Sequence, residues 1–186
     1  LFFAWLIVEN STRFGVRYAT TGNFDAGYCT DLDADATPCA GDSDELEIDA
    51  ARIPSIKDET RRIIIGFHYD EGLTNVDNDY LKVTVCSSNT GLLFIPPQLG
   101  RPVYADCQPG EDAGLPGQRV VVATDYNFAF IVLPLFKVEP SMIHLASYRE
   151  GINEQFRATR AINTPLPLNI PTVPTNTPPP SNTPTP

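Results

Sequence analysis

QRVVVATDYNFAFIV, residues Gln118–Val132, is the stretch whose reading decides the fold. Its β-branched and aromatic residues run on without a Gly or a Pro, which predicts a strand long enough for the centre of a sheet, bulged near Asp125. Two other segments supply its neighbours. YLKVTVCSS, Tyr80–Ser88, alternates Leu81, Val83 and Val85 on one face with Lys82, Thr84 and Cys86 on the other. SMIHLASYREGINEQF, Ser141–Phe156, sets Met142, His144, Ala146 and Tyr148 against Ile143, Leu145 and Ser147. Before it, Pro134, Pro140 and the intervening LFKVE read as an irregular crossover. Three antiparallel strands are expected, with helical cover on one face.

The helices lie upstream. Leu1–Ala19 contains no Pro and Gly15 as its one Gly, so it predicts one helix of about 28 Å that Gly22 stops. In DELEIDAARIPSIKDETRRIIIGF, Asp44–Phe67, the residues Leu46, Ile48, Ile53, Ile56, Ile63 and Ile64 fit helical spacing, interrupted at Pro54. This reads as a short helix and then a second one from about Ser55, capped by that Ser with Asp58 and Glu59 in its first turn. The run Ile63–Ile65 fits either the helix end or the start of a strand. The fold class is therefore α+β: an N-terminal stem helix and a small antiparallel sheet packed by one or two helices, with an extended proline-rich tail. The organisation is stem 1–22, globular domain 23–160 and tail 161–186.

The stem opens with an unbroken apolar run, LFFAWLIV, Leu1–Val8, and no Met. Eight residues are too few to cross a bilayer, which takes about 20 as a helix, and too apolar to be left in water. Other copies of the chain, or a membrane together with preceding residues, would cover them. The missing Met fits a leader or longer hydrophobic segment that was removed or lies outside this sequence. The tail from Asn163, NTPLPLNIPTVPTNTPPPSNTPTP, carries no charge and is dominated by Pro, Thr, Asn and Ser. Such a composition cannot bury enough apolar surface to offset ordering, and favours extended polyproline II. It suits an O-glycosylated stalk and a bare linker equally.

A chain of 186 residues, 42% hydrophobic, can bury one ordinary core. Its net charge of −10 argues against nucleic acid, since phosphate binding needs clustered Lys and Arg and the only adjacent basic pair is Arg61–Arg62. The four cysteines, Cys29, Cys39, Cys86 and Cys107, form no Cys-x-x-Cys and lie far in sequence from His68 and His144, so zinc spacing is missing. Two disulfides of an exported protein are the better reading, Cys29 with Cys39 and Cys86 with Cys107, among the three connectivities that four cysteines allow. Buried free thiols are the alternative.

With these segments in place, a resemblance emerges. LFFAWLIVENSTRFGVRYATTG is similar to the start of TadE/TadG-like pilus assembly proteins, where a hydrophobic helix runs into an "REGARYA"-type sequence. Arg13, Phe14, Gly15, Val16, Arg17, Tyr18 and Ala19 occupy that motif. VVVATDYNFAFIVLPLF followed by SMIHLASYRE resembles that family's later strands, with Pro134, Arg149 and Glu150 at its proline and Arg-Glu positions. About Asn23–Asn78 matches poorly. The resemblance implies a type IV pilin-like subunit, exported, inserted in the membrane by its N-terminal helix before assembly, and built into a thin filament or its tip. The family's processing-site Gly and most of its hydrophobic helix are not in this sequence. The proline-rich tail and cysteine-bridged loops are additions to its pattern.

A filament core of packed stems would bury Leu1, Phe2, Phe3, Trp5, Leu6 and Ile7 between subunits, at about 1.5–3 kcal/mol for each large side chain before ordering costs. Glu9 would then need a partner, with Arg13 at i+4 the nearest. Arg17, a neighbour's terminal ammonium or plain solvent are the other readings.

The rival chemistry lies in CTDLDADATPCAGDSDE, Cys29–Glu45, where Asp31, Asp33, Asp35 and Asp42 fall in the ligand register of a Ca2+ loop. Against that register stand Ala36 where such a loop needs Gly, Asp in place of Glu at the twelfth position, and Pro38. A solvated acidic loop is the alternative. NVDND, Asn75–Asp79, is a weaker version. A surface-anchored binding module holding Ca2+ or contacting a glycan is thus the second function class. Catalysis has no motif: a lone His on a strand is usually a packed or surface residue, and Asp44–Glu45 and Asp58–Glu59 are charged helix starts. Asn10-Ser-Thr is a glycosylation sequon, but a sugar there would block stem packing.

Overall fold

The structure, a computed structural model, describes residues 1–32, 38–39, 45–70, 72–130 and 142–154. Helix α1 spans Phe2–Thr20 and α2 spans Glu45–Arg62, with a 3-10 turn, Ala26–Tyr28, between them. Among the described residues five strands follow: β1 (Leu81–Ser87), β2 (Leu93–Ile95), β3 (Asp106–Gln108), β4 (Arg119–Ala129) and β5 (Met142–Ile152). β1, β4 and β5 form an antiparallel sheet with β4 in the middle, and β2 pairs with β3 as a separate two-stranded sheet. The domain is α+β, as the alternating segments predict. The tail, residues 161–186, and the crossover 134–140 lie outside the described residues.

β4 is central because both its faces are buried. Val120, Val122, Thr124 and Tyr126 face the helices, while Val121, Ala123, Asp125 and Asn127 face the other way, all of them buried. No bulge interrupts it at Asp125; the register runs unbroken from Arg119 opposite Ile152 to Ala129 opposite Met142. Asp125 fits a regular strand because its carboxylate has its own buried partners, described below.

Both helices lie on one face of the sheet. α1 meets it through Ala4, Val8, Glu9, Ser11, Thr12, Gly15 and Ala19, and ends where Gly22 takes φ +70 and donates to Ala19 O. Small residues make this approach close: a Cβ at Gly15 would meet Thr60 Oγ1 at 2.1 Å and Val122 Cγ1 at 3.1 Å. Ala19, Ile56, Val83, Val85, Val120 and Val122 pack as one part of the core, and Ala4, Val8, Ile64, Leu81, Tyr126 and Leu145 as another. On the opposite face, Cys86, Cys107 and Val121 form a smaller cluster with Leu92 and Phe94.

α2 corrects the sequence expectation of two helices. It continues through Pro54, so Ser55 is no cap; its hydroxyl accepts from Asp25 N at 2.8 Å and donates to Ala51 O at 2.7 Å. Asp58 and Glu59 pair with Arg61 and Arg62 one turn on. The inward stripe is also more polar than the Leu and Ile spacing suggests: Glu47, Arg52, Ser55 and Thr60 are buried beside Ala51 and Ile56, whereas Leu46 is exposed. Arg52 explains the stripe, since its guanidinium donates to Ala19 O at 3.2 Å, Ala113 O at 3.3 Å and Gly114 O at 2.5 Å. One buried cation thereby ties α2 to the end of α1 and to the loop before β4.

Both disulfides join neighbouring cysteines in the sequence, Cys29 with Cys39 and Cys86 with Cys107, with Cα–Cα separations of 5.9 and 5.6 Å. The first closes the loop after α1; Glu47 of α2 accepts from the Leu32 and Cys39 amides inside it. The second fastens the β2–β3 hairpin to β1.

Candidate assembly surface and groove

The sequence-predicted interface residues divide between two sides of α1. Phe2 and Phe3 are each 70% exposed, Leu1 53% and Leu6 36%, an apolar cap on the first turns. Trp5 and Ile7 are half-buried, Ile7 against the core around Val8 and Leu145. Glu9 points inward. Its Oε1 accepts from Arg13 Nη2 at 3.0 Å and Nε at 3.2 Å and from Arg149, and its Oε2 accepts from Ser147 Oγ at 2.6 Å. A carboxylate removed from water needs paired charge and filled lone pairs, and here α1 supplies one guanidinium while β5 supplies the other and a hydroxyl. Glu9 therefore joins helix to sheet within one subunit. Arg13 is the partner that i+4 spacing indicates; Ser147 and Arg149 are distant in sequence, and of these only Arg149 stood out, through the family motif.

A groove of about 650 Å3 opens beside this ion pair. Trp5 and Glu9 form one wall, Pro97 and Leu99 the other, and the floor is β5 from Ala146 to Glu150. It leads to an apolar recess of about 280 Å3 between Leu1, Phe2 and Trp5 of α1 and Leu99, Ile143 and Leu145. Pro97, Leu99 and Tyr148 carry no sequence signal for such a site, because the groove exists only once the loop after β2 folds over β5.

What holds that loop down is His144. It is buried, and its ring packs against Tyr104 with centroids 4.3 Å apart. Nδ1 lies 3.1 Å from Gln98 O and 2.5 Å from Arg101 O, and Nε2 lies 2.7 Å from Asp125 Oδ1. Carbonyls only accept, so Nδ1 carries a proton and donates. Burial alone would lower the His144 pKa, but the Asp125 hydrogen bond and charge, with the two carbonyls, outweigh it and raise the pKa above its ordinary value. The other oxygen of Asp125 accepts from Ala105 N at 3.0 Å. Both ring nitrogens of His144 are thus engaged inside the fold, Nδ1 by the loop carbonyls and Nε2 by Asp125. His68, by contrast, is exposed.

A second cleft, about 600 Å3, is lined by Lys57, Arg61, Tyr80, Lys82, Asp106 and Glu111 among others. Its cations already meet carboxylates: Lys57 with Glu111 at 2.5 Å, Lys82 with Asp106 at 3.6 Å, Arg61 with Asp58 at 3.2 Å. Of the candidate Ca2+ ligands, Asp31 is described, and Asp33, Asp35 and Asp42 lie outside the described residues. In the weaker acidic patch, Asp77 accepts from the amide and hydroxyl of Thr74, and these bonds hold its carboxyl below the usual range. Among the described residues no helix is long and apolar enough to cross a membrane.

No protein-family model, curated protein or solved structure matches this chain.

Proposed function

We propose that this protein is a structural subunit of an extracellular pilus-like filament, polymerising through its N-terminal hydrophobic helix. The observation that supports it is the apolar cap of Leu1, Phe2, Phe3 and Leu6, exposed on the first turns of a helix whose inner face is already packed on its own domain. Covering those side chains against a second subunit would contribute several kcal/mol, at about 1.5–3 kcal/mol each, before ordering costs. In this reading α1 acts on two sides: Ala4, Val8, Glu9 and Gly15 hold it to the sheet, while Phe2, Phe3 and Leu6 join it to the next subunit. The similarity of Arg13–Ala19 to the TadE/TadG-like motif agrees with that division, because the motif's Gly15 lies on the inward side, where a Cβ would meet Thr60 and Val122. Two disulfides are compatible with an exported protein.

The test is negative-stain electron microscopy of the protein beside a Phe3→Ser/Leu6→Ser variant, with circular dichroism to establish that both are folded. Uniform filaments that vanish in the variant support the reading. Dispersed particles in both samples would overturn it and direct attention to the surface-anchored alternative, for which Ca2+ titration of the Asp31–Asp42 loop is the next measurement.

A further inference from the structure

The outer edge of β5 forms the floor of the groove, and strand parity tells which of its groups face outward. Asn127 of β4 sends both its amide and its carbonyl toward the β1 side, to Tyr80 O at 2.9 Å and from Asp79 N at 3.0 Å. Its partner on β5, His144, therefore turns its backbone groups away from β4. The His144 carbonyl accordingly accepts from Gly100 N at 2.9 Å. By the period of two, the N–H and C=O groups of Ala146, Tyr148 and Glu150 point the same way, into the groove. Among the described residues, Gly100 to His144 is the one backbone bond made across this edge. An open strand edge invites pairing with another chain, and proteins commonly cover it.

The groove has two walls, Trp5 and Glu9 on one side and Pro97 and Leu99 on the other. That shape suits one extended strand better than the edge of a second sheet carrying its own helices. The chain continues past Glu154, and its sequence contains a segment with matching parity. In PLPLNIPTV, Pro165–Val173, the prolines occupy positions 165, 167 and 171, whereas Leu166, Leu168, Ile170 and Thr172 keep their N–H groups. As a strand, such a segment keeps every donor on one edge and on the other lacks those at Pro165, Pro167 and Pro171, with Asn169 and Val173 retaining theirs. It would cap an open edge and present in its place one poor in donors. Residues 155–165 can span up to about 36 Å, ample to return from Glu154 to Glu150.

We propose that the β5 edge groove is the docking site of this chain's own Leu166–Thr172 segment, paired antiparallel to β5 through the backbone groups of Ala146, Tyr148 and Glu150. In that pairing Leu166, Leu168 and Ile170 lie on the side of Tyr148, Pro97 and Leu99, and the prolines on the side of Trp5. The inference is independent of the filament reading.

Hydrogen exchange of the full-length protein tests it, with the Ala146, Tyr148 and Glu150 amides followed individually by NMR. Leu168→Pro/Ile170→Pro removes donors that face β5; Asn169→Pro removes one that faces away and is the matched control. The expected result is protection in the parent chain and in Asn169→Pro, with exchange about a hundredfold faster at those three amides in the double variant. Freely exchanging amides in the parent, or equal protection in all three proteins, would overturn the proposal. Protection that rises with protein concentration would also overturn it, by assigning the groove to a second copy.

Discussion

At Gly15 a single hydrogen in place of a side chain sets the distance between three elements. Thr60 cannot readily yield to an added methyl, because its hydroxyl donates to Ile56 O at 2.7 Å within α2, and Val122 is fixed in the central strand. Gly15→Ala is therefore expected to lower stability by about 1–3 kcal/mol through overpacking, seen as a lower urea midpoint at unchanged m. An unchanged midpoint would mean that α1 does not approach this closely. His144 gives a pH-dependent counterpart. Its folded pKa lies above the ordinary 6.5, so the folded state holds the proton more tightly than the unfolded chain does. The stabilisation is complete below about pH 6.5 and is lost as pH rises through the folded value. Stability should thus fall on the alkaline side in the parent and show less of that fall in His144→Gln. Parallel pH profiles for the two proteins would rule out a charged His144.

At the scale of elements, Pro54 is the residue most at odds with its surroundings. It has no N–H for the α2 ladder, yet the helix runs on from Glu45 to Arg62, because Arg52, Ser55, Ile56 and Thr60 on both sides of it are fixed by tertiary contacts. Pro54→Ala should restore a backbone bond and relieve the ring's clash, minus the entropy returned to the unfolded chain, for a net gain of about 2 kcal/mol. A lower thermal midpoint would show instead that the proline is part of how α2 fits its site. The same helix shows why some elements were legible and others were not. β1, β4 and β5 could be read because their alternation maps onto two differently covered faces, and α1 because its breaker, Gly22, is local. The inward face of α2 is held by Glu47 and Arg52, whose partners Leu32, Cys39, Ala19 and Gly114 are brought near only by folding. A proline therefore looked like a boundary. β2 and β3 are three residues each, too short to show a period, so the wall of the groove that they support carried no sequence pattern.

Across the whole molecule the two disulfides do different work, although chain entropy alone would rank them nearly equal. Their separations of 10 and 21 residues predict about 3 kcal/mol for either loop, with the longer favoured by less than about 1 kcal/mol. Packing separates them. Cys29 and Cys39 are half-buried at one end of the domain, where Glu47 still holds the Leu32 and Cys39 amides if the bridge is absent. Cys86 and Cys107 are buried against Val121, and their bridge presses the β2–β3 hairpin onto the face of the sheet that the helices leave uncovered. The same hairpin leads into the loop that His144 and Asp125 secure over β5. Cys86→Ala/Cys107→Ala should accordingly cost more than Cys29→Ala/Cys39→Ala by over about 1 kcal/mol, since buried contacts are lost along with the loop constraint. It should also increase hydrogen exchange in Leu93–Ile95 and at Gly100, whose amide bonds to β5. Equal losses of stability in the two double variants would mean that the hairpin is held by its own contacts and that the bridge acts only on the unfolded chain. A selective loss, with faster exchange at Gly100, would mean that the Cys86–Cys107 bridge helps to hold the loop that walls the β5 groove.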